Sequence, residues 1–266
     1  VNINLEIEMI GVRSLEWKKV RIGLSLLLIA VLIGGSFLIN GKTKSTFGEV
    51  AEVPIYSVDK EEKEIALTFD INWAENDYIY SILDTLDKYN VKGTFFVMGG
   101  WVNYSDENVV KLKKISERGH EIGNHSYKHP IFSKIGEERI KEELRKTDEV
   151  VEKYTGKKPS VFRFPSGDYN AQSYRTVTSL GYKCIQWDAD SVDWKEQGEE
   201  VEYNKVMKKV KAGSILLYHN NAKYTPSNLN RIIPELQKQG YKFVTVGELI
   251  YTEDAYVDKD GVQHRK

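Results

Sequence analysis

Ile65-Ala66-Leu67-Thr68-Phe69-Asp70 is an apolar run of strand length that ends on a carboxylate. Six further runs of this kind follow, at Gly93–Met98, Glu121–Gly123, Ser160–Phe164, Tyr182–Trp187, Ser214–Tyr218 and Lys242–Val246. Between them lie amphipathic stretches that predict helices over 76–90, 106–118, 134–155, 171–180, 201–211 and 226–239. In the first, Ile79, Ile82, Leu83 and Leu86 recur at helical spacing, Asn76 or Asp77 can cap the start, and Gly93 follows the end. Strands alternating with helices imply an α/β fold whose sheet is mostly parallel. Seven such units can close into an incomplete barrel or stay open as a doubly wound sheet, and the pattern alone does not choose.

The polar residues are sorted. Asp70 ends the first run, Asn124 and His125 follow the third, and Arg163 and Pro165 end the fourth. Asp188 to Trp194 follow the fifth, and His219 ends the sixth. In parallel α/β architectures the C-terminal strand ends open on one face, where sites are built. Five segments therefore deliver ionisable groups to one rim. Of the chain's five histidines, His125 and His129 are four apart. On a helical turn, that spacing brings two imidazoles to one metal ion. Glu does not follow His125, so the pair is not the zinc-protease motif. A pair of surface histidines beside a turn at Pro130 is the plainer alternative.

The ordered motifs Thr68-Phe69-Asp70, His125 to His129, Arg163-Phe164-Pro165-Ser166-Gly167, Asp190-Ser191-Val192-Asp193-Trp194 and Leu217-Tyr218-His219 resemble the polysaccharide deacetylases, the NodB-homology carbohydrate esterases. The likeness covers about 64–250, and Thr68 to Trp73 is most similar to the sporulation-associated, PdaB-like branch. The resemblance implies a distorted, incomplete (β/α) barrel of about seven strands. It also implies a hydrolase that removes N-acetyl groups from a cell-wall polysaccharide, peptidoglycan above all. Asp70 then corresponds to the general base and His219 to the general acid. Arg163 beside Asp70 keeps it ionised, and Asp193 fixes the arginine fork. Trp194 and Leu217 form the acetyl pocket, and the Ser166 N–H helps hold the oxyanion. His125 and His129 hold a divalent metal ion, with zinc expected. The family carries a second acid directly after the base as a third ligand, and here that position is Ile71. Side chains alternate along a strand, so Asn72 returns to the side of Asp70 and offers a neutral oxygen in its place. A glycan-binding protein without turnover is the alternative reading, and Ile71 favours it.

The rest of the composition sets limits. The 38 basic and 39 acidic residues nearly cancel, which argues against nucleic acid as a partner. The single Cys184 rules out an internal disulfide and reads as a core residue. Trp73, Trp101 and Trp187 can stack on sugar rings, although burial explains tryptophan equally well. His120 and Glu121, just before the metal motif, carry no assigned chemistry.

Residues 1–21 contain Arg13, Lys18, Lys19 and Arg21, ahead of an uncharged run from Ile22 to Ile39. The span 22–40 is long enough to cross a bilayer, and the basic flank places the N-terminus inside. A signal peptide is the rival, but Phe37-Leu38-Ile39-Asn40 is a poor cleavage site. The expectation is a single-pass anchor in the cell membrane, a stalk over 41–63 and an outward-facing domain over 64–251. The polar stretch 252–266, with its Asp260-Gly261 turn signal, reads as a frayed tail and His264 as solvated.

Overall fold

The computed structural model describes residues 52–266. The anchor expected over 22–40 lies outside the described residues, as do 1–21 and most of the stalk. No helix among the described residues is long and apolar enough to cross a membrane.

The central strand β2 (Glu64–Asp70) explains the layering. Ile65, Leu67, Phe69 and Ile71 are fully buried in a cluster with Ile82, Leu86, Leu229 and Ile232, which come from helices α1 (Ile79–Lys88) and α7 (Thr225–Lys238). Ala66 packs on the opposite side with Ile55, Val58 and Phe96. Odd positions thus face the helices, and Ala66, Thr68, Asp70 and Asn72 face the inside of the sheet's curl. One strand accordingly supplies both the core and the site.

The remaining sheet strands are β3 (Thr94–Val97), β4 (Glu121–Asn124), β5 (Val161–Phe162), β6 (Lys183–Cys184), β7 (Ala189–Asp190), β8 (Ile215–His219) and β9 (Lys242–Val244). Their order is β6-β5-β4-β3-β2-β8-β7, with β9 paired to the first half of β2, and every pairing is parallel. The sheet curls into a half-barrel flanked by helices α2 (Gly99–Val102), α3 (Asp106–Glu117), α4 (Glu137–Thr155), α5 (Ala171–Ser179), α6 (Glu199–Lys209) and α8 (Val246–Leu249), besides α1 and α7. α1 starts later than its periodicity suggests, because Asp77 Oδ1 accepts the Ile79 N–H at 2.9 Å and draws the boundary there. Cys184 is buried, as its apolar setting predicts.

Two expectations are corrected. The last stretch, 252–266, is a hairpin rather than a frayed tail, with β10 (Ala255–Val257) antiparallel to β11 (Val262–Arg265). β11 also pairs in parallel with β1 (Ser57–Val58), inside the expected stalk. From Ile55 onward that stalk is part of the domain, since the Ile55 N–H donates to the Cys184 carbonyl at 2.8 Å and its carbonyl accepts the Gln186 N–H at 2.7 Å. Gly213 makes the docking possible: it has φ 78°, and a Cβ there would come within 1.6 Å of the Val58 carbonyl oxygen.

Candidate active site

β2 and β8 end in register, so Asp70 stands beside His219 at the C-terminal rim. Asp70 is buried and its Oδ1 accepts from Arg163 Nη1 at 2.8 Å. Arg163 arrives from the end of β5 and is fully buried. Its Nη2 donates to the Gln186 carbonyl at 3.0 Å, and its guanidinium lies 4.1 Å from the centroid of the Phe96 ring. Burial alone would push the Asp70 carboxyl up, but the charges of Arg163, His125 and His219 outweigh it and hold the pKa below the ordinary value.

The His125–His129 segment is a loop after β4, not the helical turn that would suit the spacing. Ser126 (φ 67°) and His129 (φ 58°) are left-handed, a costly backbone for such residues. Buried acceptors hold it. Asn124 Oδ1 takes the Ser126 N–H at 2.8 Å, and Glu143 Oε2 takes the N–H groups of Tyr127 and Lys128 at 2.8 and 2.7 Å. Asn124 is fixed in turn through its Nδ2, which donates to Asp148, Tyr182 and the Leu144 carbonyl. The two rings still meet, edge to face, with centroids 5.0 Å apart.

The protonation pattern bears on a metal. His125 Nδ1 donates to the Arg163 carbonyl at 2.9 Å, which leaves Nε2 as the lone-pair nitrogen of the neutral ring. Burial pushes His125 down to about 4 and also lowers His129, so both rings are neutral at pH 7. Nε2 faces Asp70 Oδ2 at 3.6 Å, too far for a hydrogen bond. Two electron-pair donors converging without a shared proton suit a cation between them. The third donor is the weak point. Among the described residues no three His, Cys, Asp or Glu side chains gather as a metal-binding group. Ile71 is fully buried toward the helices, its N–H donating to the Phe96 carbonyl at 3.0 Å. Asn72 does line the same cavity as both histidines. Its backbone is held on both sides by Asn220, which accepts the Asn72 N–H at 2.7 Å and donates to the Asn72 carbonyl at 3.1 Å.

On the other wall, His219 Nδ1 lies 2.7 Å from Asp193 Oδ1. Asp193 Oδ2 accepts the His219 N–H at 2.8 Å and the Thr225 hydroxyl at 2.6 Å. Asp193 therefore positions His219 and does not hold the Arg163 fork, which corrects the expected pairing. The reason is strand order: Asp193 follows β7, next to β8, whereas Arg163 follows β5 on the far side of β2. Burial opposes charge on His219, but the Asp193 hydrogen bond and charge override it and raise the pKa.

These groups line a cavity of about 420 Å³ together with Ser166, Trp187, Asp190, Trp194 and Leu217. Trp194 is 58% exposed while Leu217 is buried, so only Leu217 forms an apolar floor and Trp194 stands at the mouth. Ser166 is exposed in the short turn Pro165–Gly167 with φ 56°. Residues that the sequence reading overlooked hold the rest in place, Asn220, Thr225, Gln186 and Glu143, together with Asn124, which it placed on the rim without a role. Asn220 directly follows His219 at a strand end, the one signal that could have marked it.

The family model for polysaccharide deacetylase matches residues 57–185. A peptidoglycan-N-acetylglucosamine deacetylase of Bacillus cereus is 36% identical over 200 residues, a match covering 73% of this chain and 92% of that protein. The chain belongs to the polysaccharide deacetylase family. Within the family, the peptidoglycan-N-acetylmuramic acid deacetylase PdaA of Bacillus subtilis is 35% identical over 203 residues, covering 75% of this chain and 76% of PdaA. The uncharacterized protein YlxY of the same organism is 36% identical over 197 residues, 74% of this chain and 60% of YlxY. Among solved structures, a mutant of BA3943, described as a CE4 family pseudoenzyme with restored enzymatic activity, superposes with TM-score 0.70. It is 35% identical, and the match covers 75% of this chain and 71% of that one.

Proposed function

We propose that this chain hydrolyses N-acetyl groups on a cell-wall glycan, with peptidoglycan as the first candidate. One observation carries the reading: an ionised carboxylate, Asp70, and an imidazole backed by a carboxylate, His219–Asp193, face one cavity from adjacent strand ends. Amide hydrolysis needs a base for the attacking water and an acid for the leaving amine. Asp70, kept ionised by Arg163, takes a proton from water. His219, whose protonated form Asp193 favours, delivers one to the amine. The Ser166 N–H at the mouth faces the developing oxyanion, and Leu217 receives the acetyl methyl. A divalent ion held by His125 and His129, with Asn72 as a neutral third donor, would supply Lewis acidity and a lowered water pKa. Zinc suits two imidazoles. The relatives act on both sugars of peptidoglycan by name, and the PdaB-like wording of Thr68 to Trp73 supports action during sporulation.

The test is acetate release from peptidoglycan and from chito-oligosaccharides, with and without added zinc. Release that needs zinc supports the reading, and none from any substrate sinks it. The second reading, a glycan-binding protein without turnover, is favoured by buried Ile71 and by the likeness to a pseudoenzyme. It is the outcome if glycans bind but no acetate appears. We also propose that 22–40 anchors the domain outside the cell membrane. Protease added to intact protoplasts then removes the domain, and its survival would count against that orientation.

A further inference from the structure

Just beyond the end of β2 the chain passes from Asn72, in the catalytic cavity, to Trp73, in a second and larger hollow of about 660 Å³. Two aromatic rings stand open to water on this second hollow: Trp73 is 43% and Tyr104 76% exposed. The Trp73 indole lies against Gly100, where a Cβ would come 3.4 Å from Cζ2 and 2.5 Å from the carbonyl oxygen of Tyr127 in the histidine loop. Its ring thus stands where the catalytic loop and the hollow meet. Water-exposed aromatic rings lining a concavity mark ligand grooves.

The charge narrows the occupant. Lys111 Nζ is shared between Asp77 at 3.1 Å and Glu107 at 2.8 Å, and Glu75 also lines the hollow. Three carboxylates against one ammonium repel an anionic ring and accept a neutral or cationic one. A pyranose suits both features, laying its C–H face on an aromatic ring while its hydroxyls reach carboxylates at the rim.

We propose that Trp73 and Tyr104 form a second sugar subsite, which binds the ring of a glycan strand flanking the one at Asp70 and selects N-acetylhexosamine or hexosamine over acidic sugars. This subsite rests on the glycan reading above. It places part of the affinity outside the reacting ring, so long substrates gain over short ones.

The experiment is calorimetry of the full chain with the dimer and the tetramer of N-acetylglucosamine, alongside acetate release from each. In the wild type the tetramer binds more tightly than the dimer. Trp73→Ala and Tyr104→Ala each reduce that advantage by about threefold to tenfold, leave dimer binding and Tm unchanged, and Trp73→Phe retains most of it. A tetramer advantage that survives both alanine variants, or no advantage in the wild type, overturns the subsite even if acetate is released. Tryptophan-dependent tetramer binding without any acetate release upholds the subsite and overturns the deacetylase reading instead.

Discussion

Strand β4 carries a histidine and a polar partner at each end, and the two ends do different things. At its start His120 is buried and Glu121 half-buried, and both line a hollow of about 390 Å³. Glu121 Oε2 accepts from the Thr94 hydroxyl at 2.7 Å and the Gly247 N–H at 3.0 Å, and burial raises its pKa. His120 Nδ1 accepts the Gly93 N–H at 3.2 Å, its ring packs edge-on against Phe95, and burial pushes it down to about 4. No arginine pairs with this carboxylate. At the other end, His125 shares a cavity with Asp70, whose carboxyl is held down by Arg163. Both ends bury titratable groups and border open volume, but only at the C-terminal end does an arginine pair with the carboxylate and a lone-pair nitrogen face it. Burial of polar groups is therefore not the signature of chemistry here; the counter-charge is.

The sharpest way to break that contrast is to neutralise each carboxylate. Asp70→Asn should lower turnover by about 10²–10⁴-fold, the usual contribution of a positioned base, with the fold intact by circular dichroism. Glu121→Gln keeps the hydrogen-bond acceptor and should leave turnover within about twofold, with a stability change of about 1 kcal/mol in urea unfolding. Loss of turnover in Glu121→Gln at unchanged stability would show that the lower end takes part after all.

Metal titration refines the upper end. His125→Ala should weaken zinc binding by at least about tenfold, because it removes one of two imidazole donors. Asn72→Ala should weaken it less, since a neutral amide oxygen is the poorest of the three donors. Unchanged affinity in His125→Ala would remove the metal from this cavity, while unchanged affinity in Asn72→Ala alone would remove only the third donor. Ile71→Asp probes the backbone. With the backbone as it stands, the new carboxylate enters the apolar layer between β2 and its helices, and Tm falls. Recovery of Tm on adding zinc would show the side chain turning inward as a ligand; a loss that zinc does not reverse would leave it in the core.

Much of this was legible beforehand, for physical reasons. Seven of the eight strands of the main sheet announced themselves as apolar runs between amphipathic stretches, and their polar ends marked the rim. β7 escaped because two residues are too short to show a period. Asp70, His125, His129, Arg163 and His219 were readable because strand direction alone carries them to one face. The role of Asp193 was not, because its partner depends on which strands are neighbours, and strand order leaves no local trace. The hairpin at the C-terminus was hidden for the same reason. Ala255 to Val257 is an apolar run of only three residues among charged ones, too short to show a period, and β1, on which β11 docks, lies at the other end of the domain.

That hairpin supplies the mildest test, a third histidine–carboxylate arrangement set against the two ends of β4. His264 is partly solvated, as its position suggested, but it is also paired: Nδ1 lies 3.0 Å from Asp59 and Nε2 3.0 Å from Asp258, and its ring stacks on Tyr256. Only an imidazolium can donate to both carboxylates, and the hydrogen bond to Asp258, against slight desolvation and helped by Asp59, raises its pKa above 6.5. A raised histidine contributes stability that is complete below its unfolded pKa and fades as pH rises through the folded one. The contribution should therefore be full below about pH 6.5 and lost above it. His120, His125 and His129 are shifted down, so their effect has the opposite sense, a loss of stability as pH falls below the same value. The two windows do not overlap. Only His219 shares the upper one. Comparing Tm of the wild type with His264→Gln across the range from mildly acidic to alkaline pH isolates the hairpin. The difference between the two proteins should be largest below pH 6.5 and shrink above it, by a small amount because the pair is exposed to solvent. A difference that stays constant with pH would mean that His264 packs on Tyr256 without carrying a charge.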